Sequence, residues 1–62
     1  MLSVNQKATI LQLEHELGVH DNIFTHADIG RVVVLWEIKD RNFYRHLAII
    51  EPNGLYKTYD LD

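Results

Sequence analysis

A chain of 62 residues with a net charge of −3 and no cysteine has room for one small domain and contains no disulfide bond or thiolate metal site. The acidic total disfavours nucleic-acid binding as a class, although it leaves room for a local basic patch. The longest apolar run, residues 32–36, is far shorter than the ~20 residues that span a bilayer. The N-terminus also lacks the pattern of a signal peptide. We therefore expect one domain over residues 1–62, located in the cytoplasm and not in a membrane.

The first predicted element is a helix over residues 3–17. Ser3 and Gln6 have the S-x-x-Q spacing of a capping box, in which each side chain bonds the backbone N–H of the other residue. Good helix formers follow. Gly18 is typical of a helix end with positive φ, and Val19 is placed for the apolar contact that accompanies such an end.

The apolar residues of this helix lie on two opposite sides. At about 100° per residue, the two sets separate around the helix axis. One side carries Val4, Ala8 and Leu11, and the other carries Ile10, Leu13 and Leu17. A surface helix normally has a single apolar stripe, so two stripes predict two packing partners.

Three strands are predicted after a connection, residues 20–30, that has few regular signals. Within the connection we expect at most one helical turn, from Thr25 to Gly30. Runs of β-branched and alternating apolar residues then predict strands at 31–39, 43–51 and 55–61. The predicted fold is α+β, with a single N-terminal helix packed on a three-stranded antiparallel meander sheet in the order αβββ.

Two short turns set the register of the predicted sheet. Residues 40–42 predict a three-residue hairpin loop with Asn42 in the left-handed conformation. Residues 52–54, with the sequence Pro-Asn-Gly, predict a turn in which Gly54 has positive φ. Because the loop lengths fix which residues face each other, the register follows directly from these turns.

The predicted register brings His46 opposite Asp60. A carboxylate beside an imidazole is used by acid–base catalysts, but it also occurs as a polar cross-strand pair that stabilises a sheet. No serine or cysteine is placed beside the pair as a nucleophile. We therefore interpret the pair as structural and expect neither enzymatic activity nor catalytic residues.

Three further histidines, His15, His20 and His26, are candidates for metal binding. Imidazole is a ligand of zinc, copper and nickel. His15 and His20 are nevertheless one residue too far apart for the zinc protease motif H-E-x-x-H. We expect no metal and no other cofactor, and whether the three histidines converge is left open.

Both faces of the predicted sheet are rich in apolar residues, although one helix covers only one face. A large exposed apolar patch normally marks an interface, and a two-fold homodimer is the commonest closed assembly. We therefore predict a small non-enzymatic binding or regulatory module that acts through protein–protein contacts as a homodimer. The candidate partner-binding residues are Ile10, Leu13, Leu17, Val33, Leu35, Leu47, Ile49 and Tyr59.

A small nucleic-acid-binding regulator is the alternative prediction. Its candidate residues, in the first hairpin and the neighbouring strands, are Lys39, Arg41, Arg45 and Lys57. Phe43 and Tyr59 fall on the same predicted face, and aromatic side chains between basic ones stack on bases in single-strand binders. Glu37, Asp40 and Glu51 are interleaved with the basic residues, which is more typical of a solvated sheet rim.

Overall fold

A computed structural model describes residues 1–39 and 41–61, which form one helix and one antiparallel sheet. Helix α1 spans Val4–Leu17, and the strands are β1 Asn22–Thr25, β2 Val32–Lys39, β3 Phe43–Ile50 and β4 Tyr56–Asp60. The sheet has the order β1-β2-β3-β4, so each strand pairs with the next along the chain. No helix in the described ranges has the length and apolar character needed to cross a membrane.

The α+β class is confirmed, whereas the predicted order αβββ is wrong by one strand. The additional strand, β1, lies within the segment expected to be a connection, and its Ile23 is opposite Val34 of β2. Its four residues place one apolar side chain on each face, so they are too few to show the alternation by which strands are recognised. The ladder with β2 holds β1 in the sheet.

A tight loop joins β1 to β2 where a single helical turn was expected. Gly30 donates its N–H to the carbonyl of His26 at 2.8 Å, and His26 donates to the carbonyl of Arg31 at 2.9 Å. Gly30 has φ +72°. The turn ending at Gly30 therefore exists, but it is the loop of a β-hairpin.

The capping box at the start of α1 is confirmed. The Ser3 hydroxyl accepts the N–H of Gln6 at 3.0 Å, and the Gln6 side-chain carbonyl accepts the N–H of Ser3 at 2.9 Å. Gly18 ends the helix with φ +93°, as predicted. The apolar contact predicted for Val19 is wrong, because that side chain is 81% exposed. With ψ near −166°, Gly18 leads the chain away from the helix in an extended direction.

The register predicted for the last three strands is confirmed. Lys39 is opposite Phe43, and His46 is opposite Asp60. Gly54 has φ +92°, as its turn requires. The left-handed conformation predicted for Asn42 is wrong, since every non-glycine residue in the described ranges has negative φ. A side chain with a Cβ makes the left-handed region costly, and this hairpin closes without it. Asp40 of the same loop lies outside the described residues.

The core lies between α1 and one face of the sheet. Its buried apolar residues are Ile10, Leu13, Val32, Val34, Trp36, Ala48 and Ile50. Two buried polar residues of α1, Gln6 and Thr9, also face the sheet. The Gln6 amide donates to the carbonyls of Gly30 at 2.7 Å and Ile50 at 3.2 Å, and the Thr9 hydroxyl donates to the carbonyl of Gly54 at 2.8 Å. These bonds satisfy the buried polar groups and fix α1 over the sheet.

Candidate functional site

The side of the sheet turned away from α1 keeps its apolar side chains in contact with water. Along β2, buried Val32 and Val34 alternate with half-buried Val33 and Leu35. Because α1 packs on the first pair, the second pair lies on the opposite side of the sheet. We call this side the open face. Its central apolar residues are Phe24, Val33, Leu35, Leu47, Ile49 and Tyr59.

The strand register aligns these six residues in two rows across the sheet. One row is Phe24, Val33 and Ile49, and the other is Leu35, Leu47 and Tyr59. Facing side chains on neighbouring strands have Cβ atoms about 4.5–5.5 Å apart, so each row is continuous. Phe24 is 57% exposed and Tyr59 is 46% exposed. The open face is therefore an apolar band that crosses all four strands.

Charged residues border this band at both ends. The basic residue is on the β2 side at one end and on β3 at the other, and we call this arrangement crossed charges. At one end, the Arg31 guanidinium bonds both carboxylate oxygens of Glu51, with Nη2 at 2.7 Å from Oε1. At the other end, Glu37 of β2 is opposite Arg45 of β3. The basic residue is thus Arg31, just before β2, at one end of the band, and Arg45 of β3 at the other end. The Arg31 hydrogen bond lowers the pKa of Glu51.

Beside β4, the open face deepens into a groove of about 530 Å³. It is lined by Arg31, Ile49, Glu51, Leu55, Tyr56, Lys57 and Tyr59. Leu55 on its wall is 68% exposed, so the groove opens broadly to solvent. A site for a small molecule normally buries most of the ligand. This groove is more open than such a site.

The structure divides the predicted partner-binding residues between the core and the open face. Five of them lie on the open face: Val33, Leu35, Leu47, Ile49 and Tyr59. Ile10 and Leu13 are buried against the sheet, and Leu17 packs beside them, so the chain's own core uses these three. The outward stripe of α1 contains Val4 and Leu11, which are 81% and 63% exposed. The sequence could not distinguish the two stripes because both have similar apolar character.

The basic residues of the alternative prediction are all exposed. They are Lys39, Arg41, Arg45 and Lys57. Three of these lie in strands with their side chains on the open face, and Arg31 joins them at the end of the band. Among the residues that the structure describes, this face has four basic residues, Arg31, Lys39, Arg45 and Lys57, and two acidic ones, Glu37 and Glu51. The net charge of these described residues is thus opposite in sign to the net charge of the chain.

The predicted pair of His46 and Asp60 is present on the side of the sheet that faces α1. His46 Nδ1 lies 2.7 Å from Asp60 Oδ1, and the imidazole edge packs against Trp36 with ring centroids 6.5 Å apart. The chain has one serine, Ser3, which caps α1, and no cysteine. The carboxylate therefore orients an imidazole that packs on the core, and no serine or cysteine nucleophile accompanies the pair.

The other histidines are dispersed. His20 packs edge-on against Trp36 with ring centroids 6.3 Å apart, and its Nδ1 is 3.8 Å from a carboxylate oxygen of Glu14. His15 is exposed on α1, and His26 is exposed in the loop between β1 and β2. Over residues 1–39 and 41–61, no three potential metal ligands come together.

One apolar residue of the open face, Phe24, was not predicted. It belongs to β1, which lies in the segment predicted to be a connection. The adjacent pair Ile23-Phe24, between polar residues, was the available signal, because both types favour strands. Two apolar residues in a row place one side chain on each face of a sheet.

No family model, curated protein or solved structure matches this chain. The residues of the chain itself are thus the basis for a functional proposal. Among them, the residues of the open face form an apolar band across the sheet with a distinct pattern of charge.

Proposed function

We propose that this chain is a small non-enzymatic protein-binding module that acts as a homodimer through its open face. The supporting observation is the apolar band that crosses the sheet on the side opposite α1. Leaving apolar surface in water forgoes roughly 25 cal/mol per Å². For a chain of this length the total free energy of unfolding is only several kcal/mol. Covering the band is therefore a substantial source of stability.

The crossed charges favour a second copy of the chain as the partner. A two-fold axis in the plane of contact, parallel to the strands and between β2 and β3, lays β2 of one copy over β3 of the other. Arg31 then approaches Glu51 of the second copy, and Glu37 approaches Arg45 of the second copy. Stacked sheets align within about 30° of each other, a range that these long side chains accommodate. Opposite charges at facing positions fix the register of an interface.

A matched pair of variants tests this proposal. Leu47→Lys places a charge in the middle of the open face, whereas Leu11→Lys places the same charge on the outer side of α1. We expect light scattering to give Leu11→Lys the same mass as the wild type. Leu47→Lys should fall toward the single-chain mass of 7.3 kDa. Circular dichroism should show the same fold for both variants. Equal masses for all three proteins would contradict the proposal.

The excess of basic over acidic residues among the described residues of the open face favours a second candidate function, the binding of single-stranded nucleic acid. Tyr59 lies among these residues and would offer a stacking surface for a base. Binding of a single-stranded oligonucleotide should weaken steeply as salt is raised. Lys57→Gln should weaken it further, whereas the control Lys7→Gln, on α1, should not. If the oligonucleotide fails to bind at low salt, this candidate is eliminated.

A further inference from the structure

The outer edge of β4 is a second surface suited to pairing. β4 lies at one side of the sheet, and all five of its residues are exposed. An edge strand presents unpaired backbone N–H and C=O groups that can form a ladder with another strand. Residues 56–60 contain neither proline nor glycine, which are the residues that most weaken such a ladder.

The hydrogen bonds to β3 determine which residues of β4 have backbone N–H and C=O groups directed to the outer edge of the sheet. Leu61 donates its N–H to the carbonyl of Arg45, and Glu51 donates its N–H to the carbonyl of Leu55, both at 2.8 Å. In an antiparallel ladder, residues whose backbone groups bond one neighbour alternate with residues whose groups point away from it. The odd-numbered residues therefore bond β3. Three residues of β4 direct their backbone N–H and C=O groups to the outer edge: Tyr56, Thr58 and Asp60.

We propose that β4 of one chain pairs with β4 of a second copy, antiparallel and about a two-fold axis at Thr58. Thr58 then faces Thr58, and Tyr56 faces Asp60 of the other copy. Each of the three facing pairs exchanges two hydrogen bonds, about six in all. The contact is separate from the open face. It therefore extends the proposed function by joining open-face homodimers through a continuous sheet.

The side chains favour the same register. An axis at Lys57 would place two lysines opposite each other, which is destabilising. An axis at Tyr59 would leave Tyr56 without a partner in β4. With the axis at Thr58, Lys57 faces the ring of Tyr59, an arrangement that favours a cation–π contact. The Asp60 carboxylates of the two copies then lie at opposite ends of the ladder.

Lysines in edge strands often serve to prevent pairing, so the position of Lys57 is informative. Its side chain lies on the open face and not in the plane of the sheet. In the register centred on Thr58, it meets an aromatic ring and no second lysine. Lys57 therefore opposes other registers more strongly than this one.

Hydrogen exchange in the wild-type protein tests the pairing without a substitution. As concentration rises, the amides of Tyr56, Thr58 and Asp60 should exchange more slowly because they enter the new ladder. The amides of Lys57 and Tyr59 already bond β3 and should change little. If the three outward amides exchange at the same rate at every concentration, the proposal is overturned.

Single-cysteine variants separate this contact from the open-face homodimer. The native chain has no cysteine. Facing hydrogen-bonded residues have Cα atoms about 5.5 Å apart, within the range of a disulfide. Thr58→Cys should therefore form linked dimers roughly tenfold or more faster than Thr25→Cys, which lies on the opposite edge strand. Both variants should carry Leu47→Lys, so that linkage at Thr58 supports the edge contact whatever the fate of the open face. Equal rates would overturn the edge contact alone.

Discussion

Replacing Gln6 with alanine removes the polar connection between α1 and the sheet. Gln6 is only 1% exposed, although its side chain ends in a polar amide group. Its amide donates to the carbonyls of Gly30 and Ile50, and its carbonyl accepts the N–H of Ser3. One side chain thus links the start of α1, the loop between β1 and β2, and the end of β3.

The expected loss of stability follows from the burial of those partners. A buried polar group left without its partner costs about 1–3 kcal/mol. The bond to Ile50 is buried, whereas the bonds to Gly30 and Ser3 are partly buried, so water replaces them in part. We therefore expect Gln6→Ala to lower the free energy of unfolding by about 3 kcal/mol, most of it from the two carbonyls. This is a large fraction of the several kcal/mol typical for a chain of this length.

Urea denaturation followed by the fluorescence of Trp36 measures this loss. Gln12→Ala is the matched control, because Gln12 is exposed on the same helix. It should change the free energy of unfolding by at most about 0.5 kcal/mol. Gln6→Glu keeps the shape and the acceptor for Ser3 but removes both donated bonds, so it should also be destabilised. If Gln6→Ala and Gln12→Ala unfold at the same urea concentration, the reasoning is refuted.

Two further predictions concern the turn between β3 and β4 and the ion pair of Arg31 with Glu51 at the end of the open face. Gly54→Ala should melt at a lower temperature than Gly18→Ala. Both glycines have positive φ, but a Cβ at Gly54 would lie 3.0 Å from Asn5 Cβ and a Cβ at Gly18 would meet nothing within 4 Å. Equal melting temperatures would show that the contact with Asn5 is unimportant. Arg31 lowers the pKa of Glu51 in the folded state. The contribution of this pair is therefore present above the unfolded pKa and lost as pH falls through the folded one. The stability difference between wild type and Arg31→Gln should shrink in acid; a constant difference would contradict this.

The pairing of the last three strands could be predicted because short turns determine it. A three-residue loop between Lys39 and Phe43, and a second between Glu51 and Leu55, leave one register for each hairpin. The contact of His46 with Asp60 then follows without any knowledge of the core. It was predictable because it depends on local backbone geometry.

The packing of α1 depends on residues distant in sequence, and the presence of β1 depends on its pairing with β2, so neither could be predicted in this way. The buried side of α1 includes Gln6 and Thr9, which a hydrophobicity pattern assigns to the surface. Their burial is stable only because carbonyls of Gly30, Ile50 and Gly54 accept their hydrogen bonds. β1 is likewise stabilised by its ladder with β2, which its own four residues do not reveal.

The candidate site was predictable to the extent that it depends on alternation along the strands. Val33 and Leu35 alternate with the core residues of β2, so their position on the second face followed from the sequence. Which face α1 covers, and hence which apolar residues stay exposed, required the structure. The register predicted from the turns already placed Glu37 opposite Arg45, whereas the ion pair between Arg31 and Glu51 became visible only in the structure.

Solvent accessibility of individual methyl groups tests the central claim most directly. A soluble paramagnetic probe broadens the NMR signals of methyl groups that it can reach. If a second copy covers the open face, the methyl groups of Leu35 and Leu47 should be broadened less as protein concentration rises. Leu11, on the outer side of α1, should be broadened equally at all concentrations. Concentration-independent broadening of Leu35 and Leu47 would contradict the homodimer.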